Sequence, residues 1–189
     1  MLEELIKYDK ELFVFLNNLG NPTWDAFWMF ITNKFSSIPL YLILLMLAYR
    51  ELGLKKTILL VVTVAVLVLV TDQLSNFFKY GLQRLRPCYD PDVNSVMRLV
   101  KDTCGGKFGY FSAHAANSFA IAFFFTKLLS QKFRYIGIFL MVWAVLMAYS
   151  RIYIGVHFPL DVITGGLFGL VLSWIATKLY IFALQKFPQ

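Results

Sequence analysis

Long apolar stretches dominate this chain, and short clusters of charged residues separate them. A helix that crosses a bilayer needs about 20 residues, since each residue adds about 1.5 Å across a hydrocarbon core of roughly 30 Å. The pattern therefore predicts five transmembrane spans, the second of which is the clearest because Thr57 to Thr71 carry no charge. The spans are about 36–50, 57–78, 112–129, 134–150 and 158–180.

Two shorter helices are predicted before the first span. In residues 3–18 the apolar positions recur with helical spacing, which is typical of an amphipathic helix in the membrane interface. Its apolar face is formed by Leu5, Tyr8, Leu12, Phe15 and Leu16. Gly20-Asn21-Pro22 ends this helix, and residues 23–34 form a second one that is too short to cross. The acidic N-terminal residues do not fit a cleavable signal peptide.

Composition supports a membrane protein. The chain is 59% hydrophobic and 15% charged, whereas soluble domains carry about 25% charged residues. The net charge of +7 would suggest nucleic acid in a soluble protein. Here the bases lie mainly between apolar segments, where topology and anionic headgroups explain them. We expect an all-α integral-membrane helical bundle that contacts lipid and binds no nucleic acid. It is one domain over 1–189, with interfacial helices in 1–34 and a transmembrane core in 36–183.

The connecting charges predict the orientation. Basic residues on one side of the bundle are Arg50, Lys55, Lys56, Lys127, Lys132, Arg134, Lys178 and Lys186. The positive-inside rule makes that side cytoplasmic and places the loop 81–111 outside. This loop is basic too, which indicates either a function there or simple tolerance. Cys88 and Cys104 both lie in it, and an oxidising exterior would favour a disulfide over two free thiols.

Three polar clusters stand beside the spans, at Lys79 to Pro87, Phe111 to His114 and Ser150 to Asp161. Each alone has a simpler explanation: snorkelling cations, a helix cap with a packed imidazole, or an interfacial ion pair. The predicted topology, however, brings all three to the same face. A set of cations and imidazoles there indicates a bound anion, which a helix N-terminus would also favour.

Two further features concern pairing. His157 and Asp161 are four residues apart, so they share a helical face if the last span begins near His157. A carboxylate there would fix the imidazole tautomer. Asp72 lies inside the second span, where a carboxylate is expensive. We expect a structural partner on a neighbouring helix in preference to a catalytic role, and Asn76 is a candidate to join it.

The spacing of these clusters resembles the tripartite signature of the type 2 phosphatidic acid phosphatase superfamily, whose membrane phosphatases share a core with vanadium haloperoxidases. The matching motifs are Lys79-x6-Arg86-Pro87, Ser112-x-His114 and Ser150-Arg151-x5-His157-x3-Asp161. The resemblance covers about residues 55–180. The middle motif departs from it, because Phe111-Ser112-Ala113-His114 replaces the usual Pro-Ser-Gly-His. Ala113 keeps the backbone N–H that the glycine would give to phosphate, so we expect retained activity.

The resemblance implies a role for each matching residue. His157 would attack phosphorus to form a phosphohistidine, Asp161 would orient it, and His114 would protonate the leaving oxygen. The phosphoryl oxygens would be held by Lys79, Arg86, Ser112, the Ala113 N–H and Arg151. Arg84 lies outside the signature and is a candidate headgroup contact. Side-chain cations supply the charge stabilisation, so no metal or other cofactor is expected.

The sequence thus predicts a lipid phosphatase acting on a phosphomonoester or pyrophosphate headgroup. Candidate substrates are phosphatidylglycerol phosphate, phosphatidic acid, undecaprenyl pyrophosphate and lipid A phosphates. The alternatives are a lipid phosphotransferase using the same histidine and a non-catalytic lipid or anion carrier. A haloperoxidase does not fit, because that branch is soluble. The size and outward site favour a bacterial inner membrane, with the site facing the periplasm or exterior.

Overall fold

A computed structural model of the chain, which describes residues 1–186, is almost entirely helical. Two short 3-10 helices, Lys34–Ser37 and Pro87–Tyr89, lie in the segments that connect longer helices. Within the described residues no β-strand forms, apart from one isolated bridge between Leu85 and Phe108. The seven α-helices of this part of the chain are α1 (Leu2–Asn18), α2 (Pro22–Thr32), α3 (Ile38–Leu52), α4 (Leu54–Leu82), α5 (Ala113–Leu129), α6 (Ile136–Tyr153) and α7 (Pro159–Lys186). The predicted all-α class is confirmed.

Four of these segments are long and apolar enough to cross a membrane. They are Lys34–Leu52, Leu54–Leu82, Ile136–Tyr153 and Pro159–Lys186. The third predicted span, about 112–129, corresponds to α5, whose 17 residues rise about 25 Å and fall just short of a full crossing. It nevertheless lies inside the bundle and packs mainly against α6 and α7. The sequence placed the second span at 57–78, whereas α4 continues to Leu82 and so carries Lys79 within its last turn.

Small residues allow α5 and α7 to pack backbone to backbone. A Cβ atom added at Gly169 would collide with the carbonyl of Ala116, and one added at Gly165 would collide with the backbone of Ser112. Small residues at helix contacts commonly serve this purpose in membranes, where close van der Waals packing holds helices together. The glycines therefore fix the distance between the beginnings of α5 and α7, and the candidate site lies there.

The N-terminal helix α1 turns a different face inward from the one that its apolar pattern suggests. The buried residues are Asp9, Phe13 and Asn17, spaced one helical turn apart. Leu5 and Phe15, on the predicted apolar face, are 49% and 62% exposed. That exposed face is what an interfacial helix would present to lipid, and the interfacial location of α1 and α2 remains a prediction.

The long loop between α4 and α5 is closed by a disulfide. Cys88 and Cys104 are bonded, with their Cα atoms 6.3 Å apart and a sequence separation of 16 residues. This confirms the bridge expected from the sequence. A closed loop of this length stabilises the folded state by about 3 kcal/mol in the chain-entropy account. The loop therefore lies fixed over the end of the bundle at which α4 ends and α5 begins.

Candidate active site

The three polar clusters meet at one end of the bundle. The first comes from the last turn of α4 and the loop after it, the second from the beginning of α5, and the third from the end of α6 and the beginning of α7. The segment from Arg151 to Pro159 is buried throughout. The topology predicted this convergence, since α4 and α6 end at the face where α5 and α7 begin.

His157 is the most enclosed imidazole of the site. It is 2% exposed, and its Nδ1–H donates to Oδ2 of Asp161 at 3.3 Å. The contact forms although α7 begins only at Pro159, so the expectation that both residues lie on one helical face is corrected: His157 lies in the turn before the helix. With Nδ1 facing the carboxylate, Nε2 is the nitrogen left for an incoming phosphorus atom.

The surroundings of His157 favour the neutral ring. Burial lowers the pKa of His157 well below its usual value, and the positive charges of Arg151, Arg86 and Lys79 lower it further. A hydrogen bond with the backbone of Gly109 acts in the opposite direction and is the smaller effect. A neutral imidazole keeps its lone pair at neutral pH, as a nucleophile must.

Three cations of the site have no acidic partner. Within residues 1–186, no carboxylate oxygen lies within 4.0 Å of the charged nitrogens of Lys79, Arg86 or Arg151. Arg151 is only 7% exposed. A buried cation without a counter-charge is strongly unfavourable, so an anion bound here would supply the charge that the protein lacks.

Neutral groups hold two of these cations in place. Arg151 donates from Nη1 to the hydroxyl of Thr32 at 2.6 Å, while its buried Nε has no partner in the described residues. Arg86 donates to the carbonyl oxygens of Phe108 at 3.1 Å and of Cys104 at 2.6 Å. These contacts fix the guanidinium groups without neutralising them. Thr32 was not anticipated from the sequence, because it lies in α2, far from all three motifs.

The beginning of α5 has the predicted cap. Ser112 precedes the helix, and its hydroxyl accepts a hydrogen bond from the N–H of Ala115 at 3.4 Å. The Ser112 N–H in turn donates to the carbonyl of Asp161 at 2.9 Å, which ties the beginnings of α5 and α7 together. Ala113 and His114 lie in the first helical turn, where free backbone N–H groups favour an anion.

Arg84 has partners other than the headgroup contact proposed from the sequence. Its Nη1 donates to Oδ1 of Asp161 at 2.9 Å, and its Nη2 pairs with Asp9 of α1. The guanidinium also lies 4.3 Å from the ring centre of Phe158. The side chain therefore faces the protein interior, and it joins α1 to the carboxylate that contacts His157.

Asp72 has the structural partner that the sequence predicted. The side-chain amide of Asn117 in α5 donates to Oδ1 of Asp72 at 2.9 Å, and Asn117 also pairs with Thr71. Asn76, expected as a candidate partner, is exposed and makes no side-chain hydrogen bond within residues 1–186. The Asp72 cluster therefore joins α4 to α5.

Comparison with known proteins agrees with this geometry. The model of the PAP2 superfamily matches residues 55–184. A lipid A 4'-phosphatase of Porphyromonas gingivalis is 33% identical over 98% of this chain and 78% of its own length. An undecaprenyl-diphosphatase of Sulfolobus acidocaldarius is 30% identical over 94% of this chain and 81% of its own length.

A solved structure supports the same assignment. The crystal structure of Aquifex aeolicus LpxE superimposes with a TM-score of 0.65 at 28% sequence identity, covering 89% of this chain and 93% of that one. The related proteins named for an activity are phosphatases, and the present chain has four helices long and apolar enough to cross a membrane. The chain therefore belongs to the PAP2 superfamily, among its integral-membrane lipid phosphatases.

Proposed function

We propose that this enzyme removes phosphate from a lipid headgroup through a phosphohistidine at His157. The observation that carries the proposal is a set of three cations without acidic partners, Arg151 buried and Lys79 and Arg86 partly buried, around a neutral imidazole. Phosphoryl transfer needs in-line positioning and stabilisation of charge on the equatorial oxygens. Lys79, Arg86 and Arg151 supply that charge, and the Ser112 hydroxyl and the Ala113 N–H add hydrogen bonds.

The reaction proceeds in two displacements. In the first, Nε2 of His157 forms a bond to phosphorus while the bond to the lipid oxygen breaks. His114, which takes up a proton when the negative phosphate binds beside it, gives that proton to the leaving oxygen. Asp161 supports the positive charge that develops on the His157 ring. In the second, His114 takes a proton from water as the water oxygen attacks phosphorus, the P–N bond breaks and phosphate leaves. Both histidines then return to their starting states.

The substrate is an amphiphilic phosphate whose headgroup reaches the end of the bundle. Lipid A phosphate is the first substrate to test, because the lipid A 4'-phosphatase matches nearly the whole chain. Undecaprenyl diphosphate follows, since its hydrolase is also similar over most of the chain. Phosphatidylglycerol phosphate and phosphatidic acid complete a panel that spans monoesters and diphosphates.

We also propose that the site faces the outside of a bacterial inner membrane. The basic connections between α3 and α4 and between α5 and α6 lie at the opposite end of the bundle and fit the cytoplasmic side. The disulfide in the α4–α5 loop supports this orientation, since disulfides persist in oxidising compartments.

The central experiment measures phosphate release by the detergent-purified protein from the lipid panel, with EDTA present. We expect turnover without divalent metal, and a loss of at least about 100-fold in both His157→Ala and His114→Ala. Glu11→Gln, on the exposed side of α1, is the matched control and should behave like the parent. Brief incubation with labelled substrate should label the parent protein with an acid-labile phosphate, and His157→Ala should remain unlabelled.

Three results would contradict the proposal. Full turnover by His157→Ala would show that His157 is not the nucleophile. Complete dependence on a divalent metal would show that side-chain cations alone do not stabilise the transferred phosphate. Labelled phosphate that appears only on a second lipid or sugar would instead identify a phosphotransferase. Lipid binding and movement without any turnover in the parent would identify a carrier.

A further inference from the structure

A buried carboxylate on the N-terminal helix has no part in the mechanism described above. Asp9 is only 4% exposed, and it lies outside the residues that match the family model. One of its oxygens accepts a hydrogen bond from the backbone N–H of Leu160 at 2.8 Å. The other oxygen pairs with Nη2 of Arg84. Burying a charge in this way is unfavourable unless it is paired.

Arg84 connects this carboxylate to the site. The same guanidinium that pairs with Asp9 donates from Nη1 to Oδ1 of Asp161, and the second oxygen of Asp161 accepts from Nδ1 of His157. The planar guanidinium bridges the two carboxylates with separate nitrogens, a geometry that lysine cannot reproduce. A continuous chain of hydrogen bonds therefore runs from α1 to the imidazole.

The rest of α1 keeps Asp9 in register with this chain. Phe13, one turn on, packs edge-to-face against Phe158 with ring centres 5.2 Å apart. Asn17, another turn on, donates to the carbonyl oxygens of Ile152 and Tyr153 at 3.0 and 2.9 Å. One face of α1 thus lies along the buried segment that carries His157.

We propose that Asp9 is a positioning residue for phosphate transfer, which acts through Arg84 and Asp161 to hold the His157 imidazole in line with phosphorus. The inference rests on the proposed function of His157. Asp9 pairs with Nη2 of Arg84 while Asp161 pairs with Nη1, so the guanidinium stays between the two carboxylates. Without that balance Arg84 has one acidic partner and is free to tilt, and Asp161 moves with it.

A purely structural role for Asp9 makes a different prediction. Asp9 also accepts the Leu160 N–H at the beginning of α7, as a helix cap does. Asp9→Asn keeps an oxygen for that N–H and removes the charge that faces Arg84, so it separates the two roles. Loss of the helix cap would lower stability whether or not Arg84 is present. Loss of the chain of hydrogen bonds from Asp9 to His157 would lower kcat only when Arg84 is present to transmit it.

The test compares kcat and KM for Asp9→Asn, Arg84→Lys and the double variant, with Glu11→Gln as the control on the same helix. We expect Asp9→Asn to lower kcat by about 10- to 100-fold, because small misplacements of a reacting group have effects of this size. KM should change less than about threefold, since the three phosphate-binding cations remain. In the Arg84→Lys background, Asp9→Asn should lower kcat by less than about twofold further.

Thermal unfolding in detergent supplies the folding control, and rates are compared for folded protein only. Wild-type kcat in Asp9→Asn, or equal and independent losses in both backgrounds, would overturn the proposal. If Asp9→Asn cannot be purified in a folded state, the test rests on Arg84→Lys alone. A kcat equal to that of the parent in Arg84→Lys would then overturn the proposal that Asp9 acts through Arg84. Loss of turnover in His157→Ala is measured alongside. A parent that depends on His157 but not on Asp9 would contradict this inference while leaving the proposed function intact.

Discussion

At the scale of single residues, Phe111 shows where this chain departs from the family pattern. Its backbone has a φ of 72°, in the left-handed region that L residues with large side chains rarely adopt. The ring is fully buried and stacks on Phe78, with centres 5.4 Å apart and planes 7° apart. Aromatic pairs contribute about 0.5–1.5 kcal/mol beyond their burial, which opposes the cost of the strained backbone. Proline, which the resemblance leads one to expect here, has φ fixed near −65° and cannot adopt this conformation.

Phe111→Pro should therefore destabilise the protein by about 3 kcal/mol or more, since the turn that precedes α5 cannot form without rearrangement. Phe111→Leu, which loses the aromatic stacking but keeps a compatible backbone and apolar volume, should have the smaller effect. Thermal unfolding of the two variants in the same detergent measures the difference. An unfolding temperature for Phe111→Pro at or above that of Phe111→Leu would contradict this account.

Residue types and spacing predicted most of the candidate site but not the residues that support it. The motif residues lie next to spans whose direction alternates, so their convergence follows from topology alone. Asp9 pairs with Arg84 across 75 residues of sequence, and Thr32 accepts a hydrogen bond from Arg151 across 119 residues. No local pattern encodes such contacts. The role of Arg84 was missed for the same reason, since its acidic partners come from α1 and α7.

At the scale of helices, the packing of α5 against α7 controls the shape of the site. Gly165 lies against the backbone of Ser112, so that an added Cβ has no flexible neighbour to displace. The same region carries the hydrogen bond from Ser112 to the Asp161 carbonyl. Separating the two helices would therefore move the turn proposed to bind phosphate away from His157.

Gly165→Ala should lower kcat/KM by about 100-fold, because a displacement of the order of 1 Å has effects of this size, and overpacking should lower stability by about 1–3 kcal/mol. Gly81→Ala is the matched control. It lies in the last turn of α4, at one of the unspecified positions of the first motif, yet an added Cβ there meets no atom within 4 Å. Phosphate release and thermal unfolding are measured for both. Equal activity in the two variants would show that close α5–α7 packing is not required.

Helix existence was easier to predict than helix faces. Long apolar segments identify the spans, and the predicted bounds differ from those of the helices by only a few residues. For example, α4 extends beyond both ends of the predicted span 57–78. The amphipathic pattern of α1 predicted a helix correctly. It did not indicate that the face with a buried carboxylate and amide packs inward, because hydrophobicity alone assigns polar residues to the surface.

At the scale of the whole molecule, the orientation in the membrane can be tested by labelling. The two native cysteines are bonded to each other, so single introduced cysteines report their own surroundings. On spheroplasts, a membrane-impermeant maleimide should label Lys107→Cys in the α4–α5 loop. Gln131→Cys, exposed between α5 and α6, should be labelled only after the membrane is opened. The reverse pattern would place the site in the cytoplasm.

The contacts made by Asp9 and Thr32 also bear on how this molecule can be divided. The family match begins at residue 55, which would be a natural place to cut an enzyme for engineering or fusion. Such an excision would discard α1 and α2, and with them the carboxylate beside Arg84 and the hydroxyl that holds Arg151. We therefore expect the smallest active unit to begin well before residue 55, and chimeras should exchange the N-terminal helices together with the bundle.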